Sequence, residues 1–151
     1  MIRLTEEHIK QIEAHGERAF PFECGGMLVG NFDAEAGKTV IELLPMENAM
    51  DESEQHNRVL ILPKDVLRAE RYARTKKMDV VGYYHSHPDH PAHPSQFDLD
   101  HALPIWSYLI VSVEQGKAVD VRAWEMENDR SKFNEEEITR EIEGLFTDAR
   151  G

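Results

Sequence analysis

The sequence has 151 residues, with 17 lysines and arginines against 29 aspartates and glutamates, for a net charge of −12. This length is one domain's worth, and 40% hydrophobic with 30% charged residues is a globular balance, not a disordered one. The acidic total argues against nucleic acid or an anionic membrane as partner, and the lone Cys24 permits neither an internal disulfide nor a cysteine-based zinc finger.

The first residues, MIRLTEEHIKQIE, are charged from Arg3 onward and lack the apolar core of a signal peptide. The longest uncharged run, 102–113, is short of the roughly 20 residues that span a bilayer. A cytoplasmic protein is therefore expected. Thr5 is placed to cap a first helix, with Glu6 and Glu7 at the positive end of its dipole. Ile9, Ile12, Gly16 and Ala19/Phe20 form its buried stripe, and Pro21 stops it.

Residues 25–32 read as a glycine-rich strand, with 39–45 as its hairpin partner, and 58–62 as another short strand. Pro63 suits the first position of a helix through Lys77, with Val66, Ala69 and Ala73 inward. Residues 80–85 form a β-rich run and 95–102 a short helix, and 108–113 and 118–124 pair across a Glu114-Gln-Gly-Lys turn. The stretch 135–146 fits either a helix or an edge strand with a frayed end. No repeat or linker divides the chain, and the interleaved elements predict an α/β domain with a mixed β-sheet flanked by helices.

Five of the eight histidines fall between His85 and His101. His85 and His87 stand at i, i+2 near the end of a strand. Their side chains therefore leave the same face, about 6–7 Å apart at their bases, and Pro88 places them at a sheet edge. Two imidazoles can converge from that separation onto one metal ion. Ser95 and Asp98, at i, i+3, share a helical face, and Asp98 would complete a His, His, carboxylate set that leaves a fourth position for water. The same Ser-x-x-Asp is equally a helix capping box that needs no metal, so both readings stand. His90 and His93 lie in a proline-punctuated loop and are expected to face solvent; His101 is either a partner behind Asp98 or a surface residue.

Two metal families share parts of this pattern. His85-Ser-His-Pro-Asp-His90 resembles the motif of the metallo-β-lactamase fold, but no histidine follows His101 and the chain is short for that fold. Parsed instead as His85-x-His87, seven residues, Ser95, two residues, Asp98, it resembles the His-x-His-x7-Ser-x2-Asp signature of JAMM (MPN-plus) metalloproteases without a gap. Phe22-Glu-Cys-Gly-Gly-Met-Leu-Val-Gly30 is similar to that family's upstream glutamate element, which Glu23 matches. The likeness extends over roughly residues 1–125 and includes Asn57-Arg-Val-Leu-Ile-Leu-Pro before a helix.

The resemblance implies a single MPN (JAMM) catalytic domain over 1–128, with 129–151 as a C-terminal extension of the same domain. It implies that His85, His87 and Asp98 bind one zinc ion. It also implies that Glu23 deprotonates the attacking water and protonates the leaving amine, and that Ser95 donates to the developing oxyanion. Cys24 needs no thiolate role and reads as a small buried residue. The implied substrate is the bond after the C-terminal diglycine of a ubiquitin-like protein, a sulfur carrier foremost, releasing cysteine or a lysine conjugate. Such a tail suits main-chain recognition by strand addition at a sheet edge. The rival is a non-catalytic MPN scaffold, whose members typically lack one of the five positions; all five are present. One region departs from the overall charge: residues 64–77 carry six basic and two acidic side chains, either a solvated face or a dock for an acidic carrier.

Overall fold

The hydropathy of 25–30 and 80–87 does not alternate as a half-exposed sheet would, and the layers of the fold explain why. The computed structural model describes residues 1–34, 37–46 and 63–142. In it β1 (Ile2–Thr5) leads into α1 (Glu6–Ala19), followed by β2 (Gly25–Phe32) and β3 (Lys38–Met46). Next come α2 (Pro63–Thr75), β4 (Asp79–Pro88), the short α3 (Gln96–His101), β5 (Ser107–Glu114) and β6 (Lys117–Met126). Two four-residue strands, β7 (Phe133–Glu136) and β8 (Ile138–Glu141), complete the set. The eight strands form one mixed sheet in the order β7-β6-β5-β4-β2-β3-β1-β8. The α/β architecture expected from the sequence is the one observed.

Both faces of the middle strands are covered, so their side chains are apolar in both directions. On one face Ile9 and Ile12 of α1 pack with Leu28, Val81, Tyr84 and Val111. On the other, Ala69 and Ala73 of α2 pack with Met27, Val29, Val80 and Tyr83. Gly16 lets α1 approach closely, because a Cβ there would lie 3.0 Å from Val113 and 3.3 Å from Val111. Thr5 caps α1 as expected, its hydroxyl accepting from the His8 N–H, and His8 returns the bond to complete a capping box. The β5–β6 turn carries Gln115 and Gly116 at positive φ, the conformation a two-residue hairpin requires.

Several elements differ from expectation. The strand at Ile2–Thr5 is absent from the sequence reading, because its partners Lys38–Thr39 and Ile138–Glu141 lie far along the chain. The second helix ends at Thr75, short of Lys77, which sits at φ 58°. β4 extends through Pro88, so His87 is still within the strand. Of the stretch 135–146 read as helix or edge strand, 135–136 and 138–141 are strand and 143–146 lie outside the described residues: β7 pairs antiparallel with β6, and β8 pairs in parallel with β1 at the other end of the strand order. Near the junction of β7 and β8, buried Lys38 pairs with Glu125 (3.4 Å) and Glu136 (3.6 Å), and Ser107 donates to Glu136 (2.6 Å). The expected strand at 58–62 lies outside the described residues. Among the described residues, no helix is long and apolar enough to cross a membrane.

Candidate metal centre

β2 and β4 run antiparallel with Gly25 opposite His85. The ladder continues one step further, with the Ser86 N–H donating to the Cys24 carbonyl (3.1 Å) and the Cys24 N–H to Ser86 Oγ (2.9 Å). Glu23 is the next residue of the chain before this last bonded pair, as His87 is the next after it. Side-chain alternation then puts Glu23, His85 and His87 on the face of Met27 and Tyr83, while Cys24 turns into the core beneath α1. Glu23, His85 and His87 are all buried.

Asp98 reaches the same place through the cap of α3. Ser95 is extended at the N-cap, and its Oγ accepts from the Asp98 N–H (3.1 Å). In return the Ser95 N–H donates to Asp98 Oδ2 (2.8 Å), which folds the carboxylate back toward β4. His85 Nε2 then lies 3.1 Å from Asp98 Oδ1, and His87 Nε2 lies 3.3 Å from Oδ2. The two Nε2 atoms are 3.1 Å apart. The capping box and the ligand set are therefore one geometry: the cap is what aims the carboxylate. Among the described residues, His85, His87 and Asp98 make up the one group of this kind able to hold a metal ion.

The donor chemistry fits a cation. His87 Nδ1 sits 2.9 Å from the Pro91 carbonyl, which can only accept, so the proton belongs on Nδ1. In the neutral ring that leaves the Nε2 lone pair facing His85 Nε2 and Asp98, where a cation would satisfy it. Two ligands about 2.0–2.1 Å from a tetrahedral centre are about 3.3 Å apart, close to the separation of the two Nε2 atoms. The His85 ring is held by stacking on Tyr83 (5.6 Å, 20° between planes), while His85 Nδ1 and the Tyr83 hydroxyl, both buried, have no hydrogen-bond partner among the described residues.

Electrostatics follow the geometry. Burial alone would raise the Asp98 carboxyl; the His85 and His87 imidazoles and the Ser95 N–H outweigh it and hold the group well below the usual carboxylate range. Burial pushes the Tyr83 hydroxyl up, and the charges of Glu23, Cys24 and Asp98 add to it, so both acids act on the same buried phenol. Burial also pushes the Cys24 thiol up to about 11, which keeps it protonated at neutral pH.

The other three histidines of the segment 85–101 are outside the cluster. His90 and His93 are exposed, the latter packed on Trp124 at 5.2 Å. His101 is exposed too, with its ring on Phe97 and Nδ1 against the Phe97 carbonyl (2.8 Å). The expected position at a sheet edge needs correction: β4 carries β2 on one side and β5 on the other, so His85 and His87 stand near the end of a central strand. The doubly buried run 80–84 was the available signal. The Pro91 carbonyl and the Tyr83 ring, which orient the two imidazoles, carry no spacing signal and went unread.

Comparison with known proteins agrees with this architecture. The profile of the prokaryotic homologs of the JAB domain matches residues 5–127. The solution structure of protein DSY2949 from Desulfitobacterium hafniense is 32% identical over 95% of this chain and 94% of that one, with a TM-score of 0.80. A protein from Salinibacter ruber is 36% identical over 94% and 93%, with a TM-score of 0.71. AF2198, a JAB1/MPN domain protein from Archaeoglobus fulgidus, shares the fold at 17% identity over 93% and 96%, with a TM-score of 0.55. No curated protein sequence matches the chain significantly. The chain belongs to the prokaryotic JAB-domain family, whose wider JAB/MPN fold includes metallopeptidases.

Proposed function

We propose that the protein is a zinc-dependent peptidase that hydrolyses the bond after the C-terminal diglycine of a ubiquitin-like protein, a sulfur carrier foremost. The observation that carries this reading is the convergence of His85 Nε2, His87 Nε2 and the Asp98 carboxylate, with buried Glu23 next to Cys24, which is bonded to Ser86 between the two histidines. Zinc held by the three ligands would supply Lewis acidity, lowering the pKa of a water toward about 7 and polarising the scissile carbonyl.

The remaining work falls to the chain's own side chains. The Glu23 carboxylate accepts a proton from the attacking water and passes it to the leaving nitrogen, acting as base and then as acid. The Ser95 hydroxyl accepts the Asp98 N–H in the cap, so its own proton remains available to donate to the carbonyl oxygen as charge builds there. One water is consumed: its oxygen joins the carbonyl carbon, the C–N bond breaks, and the amine departs protonated. Because β4 has neighbours on both sides, a diglycine tail reaches the centre over the strand ends and not by pairing with β4.

Metal analysis with Glu23→Gln tests the reading. Metal-free protein should take up about one zinc ion per chain, and Glu23→Gln should keep that ion while losing cleavage by at least about 100-fold. A wild type that holds no zinc and cleaves nothing refutes it and leaves the non-catalytic scaffold, whereas a Glu23→Gln variant that cleaves a carrier-tail substrate as fast as wild type refutes the mechanism through Glu23.

A further inference from the structure

A pocket of about 330 Å³ opens beside the metal centre at Ser95, with Leu99 on one wall and Trp124, Lys132 and Phe133 on the other. Its frame is bonded in place. The Trp124 indole N–H donates to the Ala92 carbonyl (3.0 Å). The Arg130 guanidinium donates to the carbonyls of Ala102 (2.6 Å) and Asp100 (3.4 Å), tying the β6–β7 connection to the end of α3. The lining holds one lysine and no carboxylate, in a chain whose net charge is −12.

We propose that this pocket receives a single C-terminal amino acid as the leaving group and that Lys132 recognises its free α-carboxylate; the assignment rests on the peptidase reading above. The chemistry selects the occupant. A diglycine tail brings no charge near the scissile bond, so the anion within reach of Lys132 is the terminal carboxylate of the residue beyond it. With zinc bound, its two positive charges cancel those of Glu23 and Asp98, so the charge that selects the carboxylate is that of Lys132 on the pocket wall. The Trp124 and Phe133 rings suit an uncharged side chain. A lysine isopeptide has no α-carboxylate next to its scissile bond, and the folded protein behind it exceeds the pocket. Hydrolysis balances as written above: the C–N bond breaks, the water oxygen stays on the tail, and the amino acid leaves with its carboxylate unchanged.

Binding is measured apart from catalysis. The ¹⁵N-labelled protein, freed of metal with a chelator, is titrated with N-acetylglycylalanine and with its C-terminal amide. The free acid should shift the Trp124 indole N–H and the backbone of residues 131–133, and bind roughly two- to fivefold more tightly than the amide, the scale of an exposed ion pair. That ratio should collapse to about one in Lys132→Gln and return in Lys132→Arg. Equal behaviour of acid and amide, including no binding by either, or a ratio that survives Lys132→Gln, overturns the assignment. With zinc restored, equal kcat/KM on peptides ending in Gly-Gly-Ala as acid and as amide overturns the pocket and leaves the peptidase standing. An acid preference in binding, without hydrolysis of either peptide or of a lysine isopeptide, overturns the peptidase and leaves the pocket.

Discussion

Ser95 has two separable duties, and two substitutions can pull them apart. Its hydroxyl oxygen caps α3 and so holds Asp98 on the ligand set, while its hydroxyl proton is the proposed donor to the oxyanion. The helix is six residues long and buries none of them fully, with Leu99 packed partly against the core, so the cap is a large share of what holds it. Ser95→Ala removes a cap worth about 1 kcal/mol, which corresponds to about fivefold in an equilibrium constant. Zinc affinity should fall by that factor, read by competition with a chromophoric chelator. Glycine at an N-cap costs only a few tenths of a kcal/mol, so Ser95→Gly should bind zinc within about twofold of wild type. At saturating zinc both variants lack the hydroxyl, and both should lose about 100- to 1,000-fold in kcat. If Ser95→Gly weakens zinc as much as Ser95→Ala, the cap is not what holds Asp98. If Ser95→Gly hydrolyses substrate at the wild-type rate, the hydroxyl is not the oxyanion donor.

Other outcomes follow from the packing and the metal set. A Cβ on Gly26 would meet the Tyr84 ring at 2.3 Å, and the Tyr84 hydroxyl is bonded to His15 Nδ1 at 2.7 Å, so Gly26→Ala overpacks the core. It should cost about 1–3 kcal/mol and lower Tm by roughly 2–12 °C; an unchanged melt would refute the packing. Zinc at about 100 times its Kd should stabilise the fold by about 2.7 kcal/mol, raising Tm by roughly 5–11 °C over chelator-treated protein. His87→Ala should abolish that difference, and a persistent shift would place the ion elsewhere. With its thiol pushed up to about 11, Cys24 is about one part in a thousand thiolate at pH 8. Iodoacetamide should therefore label it at pH 8 only once the protein is unfolded in urea; equal rates in native and unfolded protein would contradict its burial.

What the sequence disclosed depended on the distance over which each signal acts. Thr5 before Glu6, Pro63 at the head of α2 and the Gln115-Gly116 turn are local, and each element they predict is present. The spacing of His85, His87 and Asp98 is also local, and these side chains do converge. Ser95 was legible as a cap or as a site residue, and the fold shows the cap, which also positions the Asp98 carboxylate. Ile2–Thr5 was not legible because four alternating residues make a strand only through partners brought from positions 38–39 and 138–141. The neighbours of β4 were hidden for the same reason, since the parallel crossover from β4 to β5 leaves no turn signature between them. Lys132 and Phe133 meet Trp124 across the β6–β7 connection, and no periodicity along the chain links them.

The parallel pairing of β1 with β8 also sets an order on the birth of the molecule. Ile2 finds one of its partners at Ile138, so β1 stays unfinished on that side until 136 further residues have been made. At about 5–20 residues per second this is a wait of roughly 7–27 seconds with a bare ladder of N–H and C=O groups turned outward. The closing segment lays down β7 and then β8, sealing both margins of the sheet in one pass. A chain cut at residue 132 would expose the outer flanks of β6 and β1 together, and would be expected to associate flank to flank.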